Sequence, residues 1–243
     1  MQANRDAYKV QRILPTGCME IMIYQQGGSK NIISPDTVPQ AFIGGNTSSY
    51  MDLLPHGGEV RYISIIFQPY GLKAFFNIPI NEFYNRLTSL DELCDHTWKN
   101  LRDRLCETPD ITQCVQQIEL FLIRKLSIHK SYYLDRIVHA IHLIRSNPQT
   151  RIVTLANESC LTEKQFKRVF NAYTGCNPKE FIRIIRFNKA LNMLFPDMIS
   201  GFAQVAQTCG YSDQSHFIRE FKAFSGYTPA NFLTPETGFH YAP

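Results

Sequence analysis

The sequence predicts an α+β chain of more than one domain. Its N-terminal half is β-rich and runs on into helices, and its C-terminal half is all-α, made of two helix-turn-helix units. Three observations predict this. Strand-like runs separated by glycine and proline clusters fill residues 8–70. Apolar residues at helical spacing take over from about residue 89. The segment 162–181 (TEKQFKRVFNAYTGCNPKEF) recurs 51 positions later as 213–232 (DQSHFIREFKAFSGYTPANF).

In the N-terminal half the strand candidates are 18–24 (CMEIMIY), 40–44 and 60–68 (VRYISIIFQ). The clusters Gly27-Gly28, Gly44-Gly45-Asn46 and Pro55-His56-Gly57-Gly58 read as hairpin turns between them. Both alternating sets in 60–68 carry apolar side chains, which suits a strand with core on each side or one lining a pocket. Residues 67–79 (FQPYGLKAFFNIP) lead out of the sheet into helix. A helix over 112–128 (TQCVQQIELFLIRKLSI) puts Val115, Ile118, Leu122 and Leu126 on one stripe, with Phe121 and Ile123 beside it. That excess of apolar surface has two uses: packing on the chain's own sheet, or pairing with a second copy in a homodimer. Residues 129–133 (HKSYY) read as the linker, dividing the chain into 1–130 and 131–243.

The C-terminal repeat has the grammar of a capped helix, written twice. Thr162 and Asp213 are N-cap residues, whose side-chain oxygens accept from the free amides of the first turn. Phe166, Val169, Phe170 and Tyr173 form one apolar stripe, and Phe217, Phe221 and Phe224 repeat it. Gly175 and Gly226 stand where a left-handed C-terminal residue belongs, and Pro178 and Pro229 open the next helical turn. A short helix precedes each copy, at 152–157 (IVTLAN) and 202–208 (FAQVAQT). Helix, tight turn, helix is the unit whose second helix enters a major groove. Gly210 supplies the turn glycine in the second copy, and Ser159-Cys160 occupies that place in the first. Facing outward are Glu163, Lys164, Lys167 and Arg168 on one helix, and Gln214, Ser215, Arg219 and Lys222 on the other. Arg and Lys donate to guanine O6 and N7, and Gln pairs with adenine N6 and N7.

Residues from about 135 to 233 resemble the DNA-binding domain of the AraC family of transcription regulators. The tract 210–232 (GYSDQSHFIREFKAFSGYTPANF) is close to that family's second helix-turn-helix signature, and 154–194 resembles the first unit plus a linker helix. The resemblance implies units at about 151–174 and 201–225, joined by a helix over 178–194 that holds the two recognition helices about 34 Å apart, one turn of B-DNA. Carried over by position, the base-reading residues are Lys164, Lys167 and Arg168 in the first helix and Gln214, Ser215, Ile218 and Arg219 in the second. Thr162, Asn171 and Lys222 are candidates for phosphate contacts. On the linker helix Arg183, Arg186 and Lys189 read as a solvated or phosphate-facing side. The N-terminal half is similar to the cupin-like β-barrel sensor domains of the family. The implied partners are double-stranded promoter DNA, RNA polymerase at an upstream site and a small-molecule effector, for which no residue is assigned. Nothing in the residues tells activation from repression.

Charge follows the division. Residues 131–243 carry 12 Lys and Arg against 8 Asp and Glu, and residues 1–130 carry 13 of each, so the chain's net charge of +4 lies in the second half. The N-terminus (MQANRDAYKVQRIL) lacks the apolar stretch of a secretory signal, and no apolar run reaches the length of a membrane span, which predicts a cytoplasmic chain. Seven cysteines (18, 94, 106, 114, 160, 176 and 209) with no CxxC pair suit a reducing compartment and argue against a disulfide framework or a zinc site. His56 is the one histidine of the β-region, so no metal or other cofactor is expected. Neither a GxSxG nucleophile motif nor a phosphate-cradling loop is present, so no catalytic residue is expected either. Two other readings remain: a DNA-binding assembly scaffold without effector sensing, and an enzyme fused to a DNA-binding unit, for which Cys18 is the thiol to test.

Overall fold

The computed structural model of the chain describes residues 10–32, 38–76, 78–93, 95–126, 132–194 and 201–234. Five strands, β1 (Gln11–Ile13), β2 (Met19–Asn31), β3 (Ala41–Gly44), β4 (Met51–Phe67) and β5 (Leu87–Ser89), form one antiparallel sheet in the order β1-β4-β2-β3-β5. Among the described residues β1 and β5 are its edges, so the strands make an open order rather than a closed barrel. Side chains alternate across β2. Met19, Ile21 and Ile23 face one core, and Met22 and Tyr24 face the other side with Phe42.

Two predicted turns are not turns. Gly27-Gly28 lies inside β2, and 55–58 lies inside β4. The two strands pair with each other through these residues: Tyr24 faces Tyr62, Gln26 faces Arg61, and Gly28 faces His56. Residues 57–60 of β4 are thus set against Gly27 alone, a β-bulge in which Gly27, Gly57 and Gly58 all take positive φ. Glycine serves a bulge for the same reason that it serves a turn: it reaches that region without steric cost. Only the cluster after β3 is a connection between strands.

Helix α1 (His96–Glu107) covers the first face of the sheet and α2 (Ile111–Lys125) packs on α1, after three 3-10 turns at Leu72–Ala74, Ile80–Phe83 and Leu90–Glu92. Trp98 centres this core, stacked on Phe76 at 4.7 Å and edge-on to Phe121 at 4.7 Å. Helix α2 buries Cys114 and Phe121, with Ile118 and Leu122 partly covered. The predicted stripe sits one step off this face: Val115 is 45% exposed, Leu126 50% and Ile123 70%. Packing on α1 and this core therefore uses only part of the apolar surface of α2. The predicted linker, 129–133, falls mostly outside the described residues, as does Cys94.

The second half is helical: α3 (Leu134–Ser146), α4 (Ile152–Glu158), α5 (Glu163–Thr174), α6 (Pro178–Leu194), α7 (Phe202–Cys209), α8 (Gln214–Ser225) and α9 (Pro229–Phe232). Two cores hold it. One gathers α3, α4 and α5 with Phe181 and Ile182 of α6, and the other gathers α7, α8 and Phe232 with Ile184, Phe187, Leu191 and Leu194. The sheet domain packs on both: Tyr70 and Tyr84 against the first core, Leu14 against the second. Among the described residues no helix is long and apolar enough to cross a membrane.

Phe170 and Phe221 are fully buried at equivalent points of the two cores. Truncating either to alanine is expected to cost about 3–5 kcal/mol. Thermal melts of Phe170→Ala and Phe221→Ala check this, and a melting temperature within a degree or two of wild type would contradict the placement.

Candidate nucleic-acid interface

Both recognition helices begin with the caps that the sequence predicts. The Thr162 hydroxyl accepts from the Gln165 amide, and the Gln165 side chain returns the bond to the Thr162 amide at 3.2 Å. The Asp213 carboxylate accepts from the His216 amide at 2.7 Å and from the Ser212 hydroxyl at 2.9 Å. The His216 amide, then Ser212, hold that carboxylate below its ordinary range. The charged form is the one favoured, so this cap is complete at neutral pH and weakens as pH falls through the carboxylate range.

Beyond the caps, the two helices present matched faces. Lys164, Lys167, Arg168 and Asn171 fall at i, i+3, i+4 and i+7 of α5, and Ser215, Ile218, Arg219 and Lys222 fall at the same four positions of α8. Lys164, Lys167, Arg168, Ser215, Arg219 and Lys222 are exposed, and Asn171 is half-buried. Ile218 is half-buried and packs on the second core, so only part of its side chain faces outward. Gln214 is exposed at the first position of α8, beside this face. Lys167 pairs with Glu163 across one helical turn. Among the described residues neither Arg168 nor Arg219 makes an ion pair, so both guanidinium forks are available. Thr162 is exposed, but its hydroxyl is committed to the cap. What it offers an anion is the start of α5, where the first amides have no acceptor within the helix.

The two turns differ by one residue. In the first unit the Leu161 amide bonds the Ala156 carbonyl, and in the second the Tyr211 amide bonds the Ala206 carbonyl, an offset of 50 rather than 51. The counterpart of Gly210 (φ 82°) is therefore Cys160 (φ 50°), and Ser212 is an added residue. Cys160 thus holds a left-handed conformation that a side chain disfavours.

Arg183, expected on a solvated or phosphate-facing side, is instead engaged within the chain. Arg183 Nε donates to Glu220 on α8 at 2.6 Å, and Nη1 donates to Glu180 at 2.8 Å. Burial works against its charge, and the two carboxylates outweigh that, raising its pKa. Arg186 donates to the Pro148 carbonyl at 3.0 Å. These contacts fasten the linker helix to the second recognition helix and to the turn before the first unit. The groove between the units is lined by Thr150 and Arg151, which stand between α3 and α4, and by Lys179 and His216, in the first turns of α6 and α8.

No thiol with a resolved shift is activated. Burial pushes Cys18 and Cys106 upward, Cys209 to about 11 and Cys176 to about 12. At Cys18 burial thus works against the thiolate, the nucleophilic form. His56 lies in β4 with its ring against Gly28.

A family described as a helix-turn-helix domain matches residues 155–234, and one described as a domain of unknown function (DUF6597) matches residues 1–89. The chain is similar to the probable transcription factor PqrA of Proteus vulgaris, with 32% identity over 89 residues, 37% of this chain and 72% of PqrA. It is also similar to the porin thermoregulatory protein EnvY of Escherichia coli, with 26% identity over 170 residues, 65% of this chain and 64% of EnvY. Among solved structures, ToxT from Vibrio cholerae aligns with 93% of this chain and 96% of its own, at 16% identity and a TM-score of 0.48. The chain spans less than two thirds of the length of the first curated relatives that it matches.

Cys160→Gly relieves the left-handed strain at an exposed site, at the cost of a more flexible unfolded chain. It is expected to stabilise the protein by up to about 1 kcal/mol. A melting temperature that falls instead would show that the Cys160 side chain holds the turn together.

Proposed function

Because the chain belongs to the AraC family of transcription regulators, we propose that it reads promoter DNA with α5 and α8 in successive major grooves. The observation that carries this reading is the pair of matched faces, Lys164/Lys167/Arg168/Asn171 and Ser215/Ile218/Arg219/Lys222. The same four helical positions are turned outward in both units, with an arginine at the same point of each. In this reading Lys164, Lys167 and Arg168 meet base edges in one groove, and Gln214, Ser215, Ile218 and Arg219 in the next. The start of α5 at Thr162, together with Asn171 and Lys222, meets phosphate. Among the base readers α5 carries three cations and α8 one, Arg219, so α5 is the stronger reader of guanine. Residues 1–130 serve as the effector and dimerisation domain and 131–243 as the DNA-binding domain, working in the cytoplasm where promoter DNA lies. A bound regulator of this kind acts on transcription through RNA polymerase.

Two features of the N-terminal domain support the rest of the reading. A cavity of about 690 Å³ opens on the side of the sheet away from α1 and α2, between Leu14, Met22, Phe42, Met51 and Ile66. Its one charged lining residue among those described is Glu20, whose carboxylate accepts from Ser64 at 2.7 Å. Such a site suits an apolar effector that is neutral or cationic, since a buried anion would face an uncompensated carboxylate. Ile111, Val115, Ile123 and Leu126 form the exposed apolar side of α2, which suits a homodimer contact.

Selection of bound sequences from a random DNA pool tests the reading with the full chain. Enrichment of two short motifs about one helical turn apart is expected, and no enrichment at low salt with folded protein would sink it. On the selected operator Arg168→Ala should cost about 1–3 kcal/mol and relax preference at one base pair. Equal losses on operator and random DNA would remove Arg168 from the base readers. For the effector, a medium-chain alkyl amine is expected to raise the melting temperature where the carboxylate of equal length does not, and Glu20→Gln should erase that difference. Stabilisation by the carboxylate instead would contradict the assigned charge preference.

A further inference from the structure

The sheet domain meets the two helix-turn-helix units at the same point of the repeat. The last residue of α5 is Thr174, and fifty-one positions on the last residue of α8 is Ser225; both are fully buried. Each hydroxyl donates to the carbonyl one turn back, Thr174 to Phe170 at 2.9 Å and Ser225 to Phe221 at 2.7 Å. The main-chain carbonyl of each is left over by the end of its helix and needs a donor from elsewhere. Each finds one in the N-terminal half. Asn46 Nδ2 donates to the Thr174 carbonyl at 2.7 Å, and Arg12 Nη1 donates to the Ser225 carbonyl at 2.9 Å.

Both donors are themselves held. Arg12 makes a bidentate pair with Asp52, the residue opposite it in the β1–β4 ladder, with both bonds at 2.6 Å. Its guanidinium lies 3.9 Å from the ring centre of Tyr50 and 4.5 Å from that of Tyr227. The backbone carbonyl of Asn46 accepts from the Asn85 amide at 2.9 Å. The side-chain oxygen of Asn46 is buried and has no partner among the described residues. An amide kept in place with half its capacity unmet points to the one bond it makes.

We propose that Arg12 and Asn46 are positioning residues for DNA reading. They are two donors set in one sheet domain that hold the C-terminal ends of both recognition helices at a fixed separation. The tolerated spacing between the two DNA motifs is then set by the N-terminal domain as well as by α6. This rests on the reading that α5 and α8 both enter DNA, and the test separates the two.

The first arm needs no DNA. Amide hydrogen exchange of the full chain is followed in 171–176 and 221–227. Arg12→Gln is expected to speed exchange in the second segment alone, and Asn46→Ala in the first alone. Exchange unchanged in both segments, or loosened equally in both, would overturn the tethers. Asp52→Asn keeps the Arg12 side chain but releases its anchor, so it carries the test should Arg12→Gln fail to fold, and it should act in the same direction. The second arm compares the selected operator with versions carrying one base pair more or one fewer between the motifs. Each variant is expected to keep wild-type preference for the motifs and to lose about threefold or more of the spacing discrimination. Discrimination equal to wild type, in variants whose exchange has changed, would overturn the positioning role. A wild-type chain that prefers no operator at all would instead overturn the DNA reading, and the exchange arm would still decide the tethers.

Discussion

Helix α6 has to belong to two cores at once. Its first turn supplies Phe181 and Ile182 to one, and the rest supplies Ile184, Phe187, Leu191 and Leu194 to the other. Seventeen residues of helix span about 26 Å, so both cores lie within one helix length and neither can shift without moving the other. Aromatic contacts carry the coupling to the reading helices. Phe170 of α5 meets Phe181 edge-on at 5.4 Å, and Phe221 and Phe224 of α8 each meet Phe187 at 5.2 Å. The outward faces of α5 and α8 are what this packing leaves over. Arg183 adds a polar fastening between α6 and α8, at a site where losing one partner would strand a partly buried charge.

The helix-turn-helix units were legible because their signals are local and doubled. An N-cap, a 3.6-residue apolar period and a glycine after the last turn all lie within one helix, and the same set returns 51 residues later. The turns inside the units were less so. The constant offset of the recognition helices hides the added Ser212, and only the bonds from Leu161 and Tyr211 reveal that Cys160, rather than Ser159, answers Gly210. In the sheet, glycine pairs looked like turns because a bulge and a turn ask for the same backbone freedom. Which one forms depends on a strand more than twenty residues away. Strands β1 and β5, at three residues each, are too short for a period to show. The period of α2 identified its apolar stripe but not how far α1 and the core would cover it, since coverage depends on the angle at which the helix lies.

Arg12 and Asn46 had no local signal at all. Their acceptors lie 213 and 128 residues away, so an arginine before an apolar pair and an asparagine after two glycines look like ordinary surface and loop residues. Lys164, Lys167 and Arg168, by contrast, needed only the face of one helix to be recognised. Groups turned outward on one helix are identified by the element that carries them. Groups that join distant parts of the chain are identified only once the fold is known.

Each recognition helix is therefore a two-ended element. Its N-terminal end, with its cap and unbonded amides, carries the positive end of the helix dipole and faces outward beside the exposed cations. Its C-terminal end is buried against the sheet domain and satisfied by a donor from it. The two ends are not matched in strength. The α8 tether comes from a guanidinium, and charge-assisted bonds are about twice as strong as neutral ones, whereas the α5 tether is a neutral amide. Packing runs the other way: the end of α5 lies against Ile80 of the sheet domain, whereas the end of α8 meets Arg12 and Tyr50. The two recognition helices are thus fixed to the sheet domain by different means, α5 by packing with a neutral bond and α8 by a charge-assisted one.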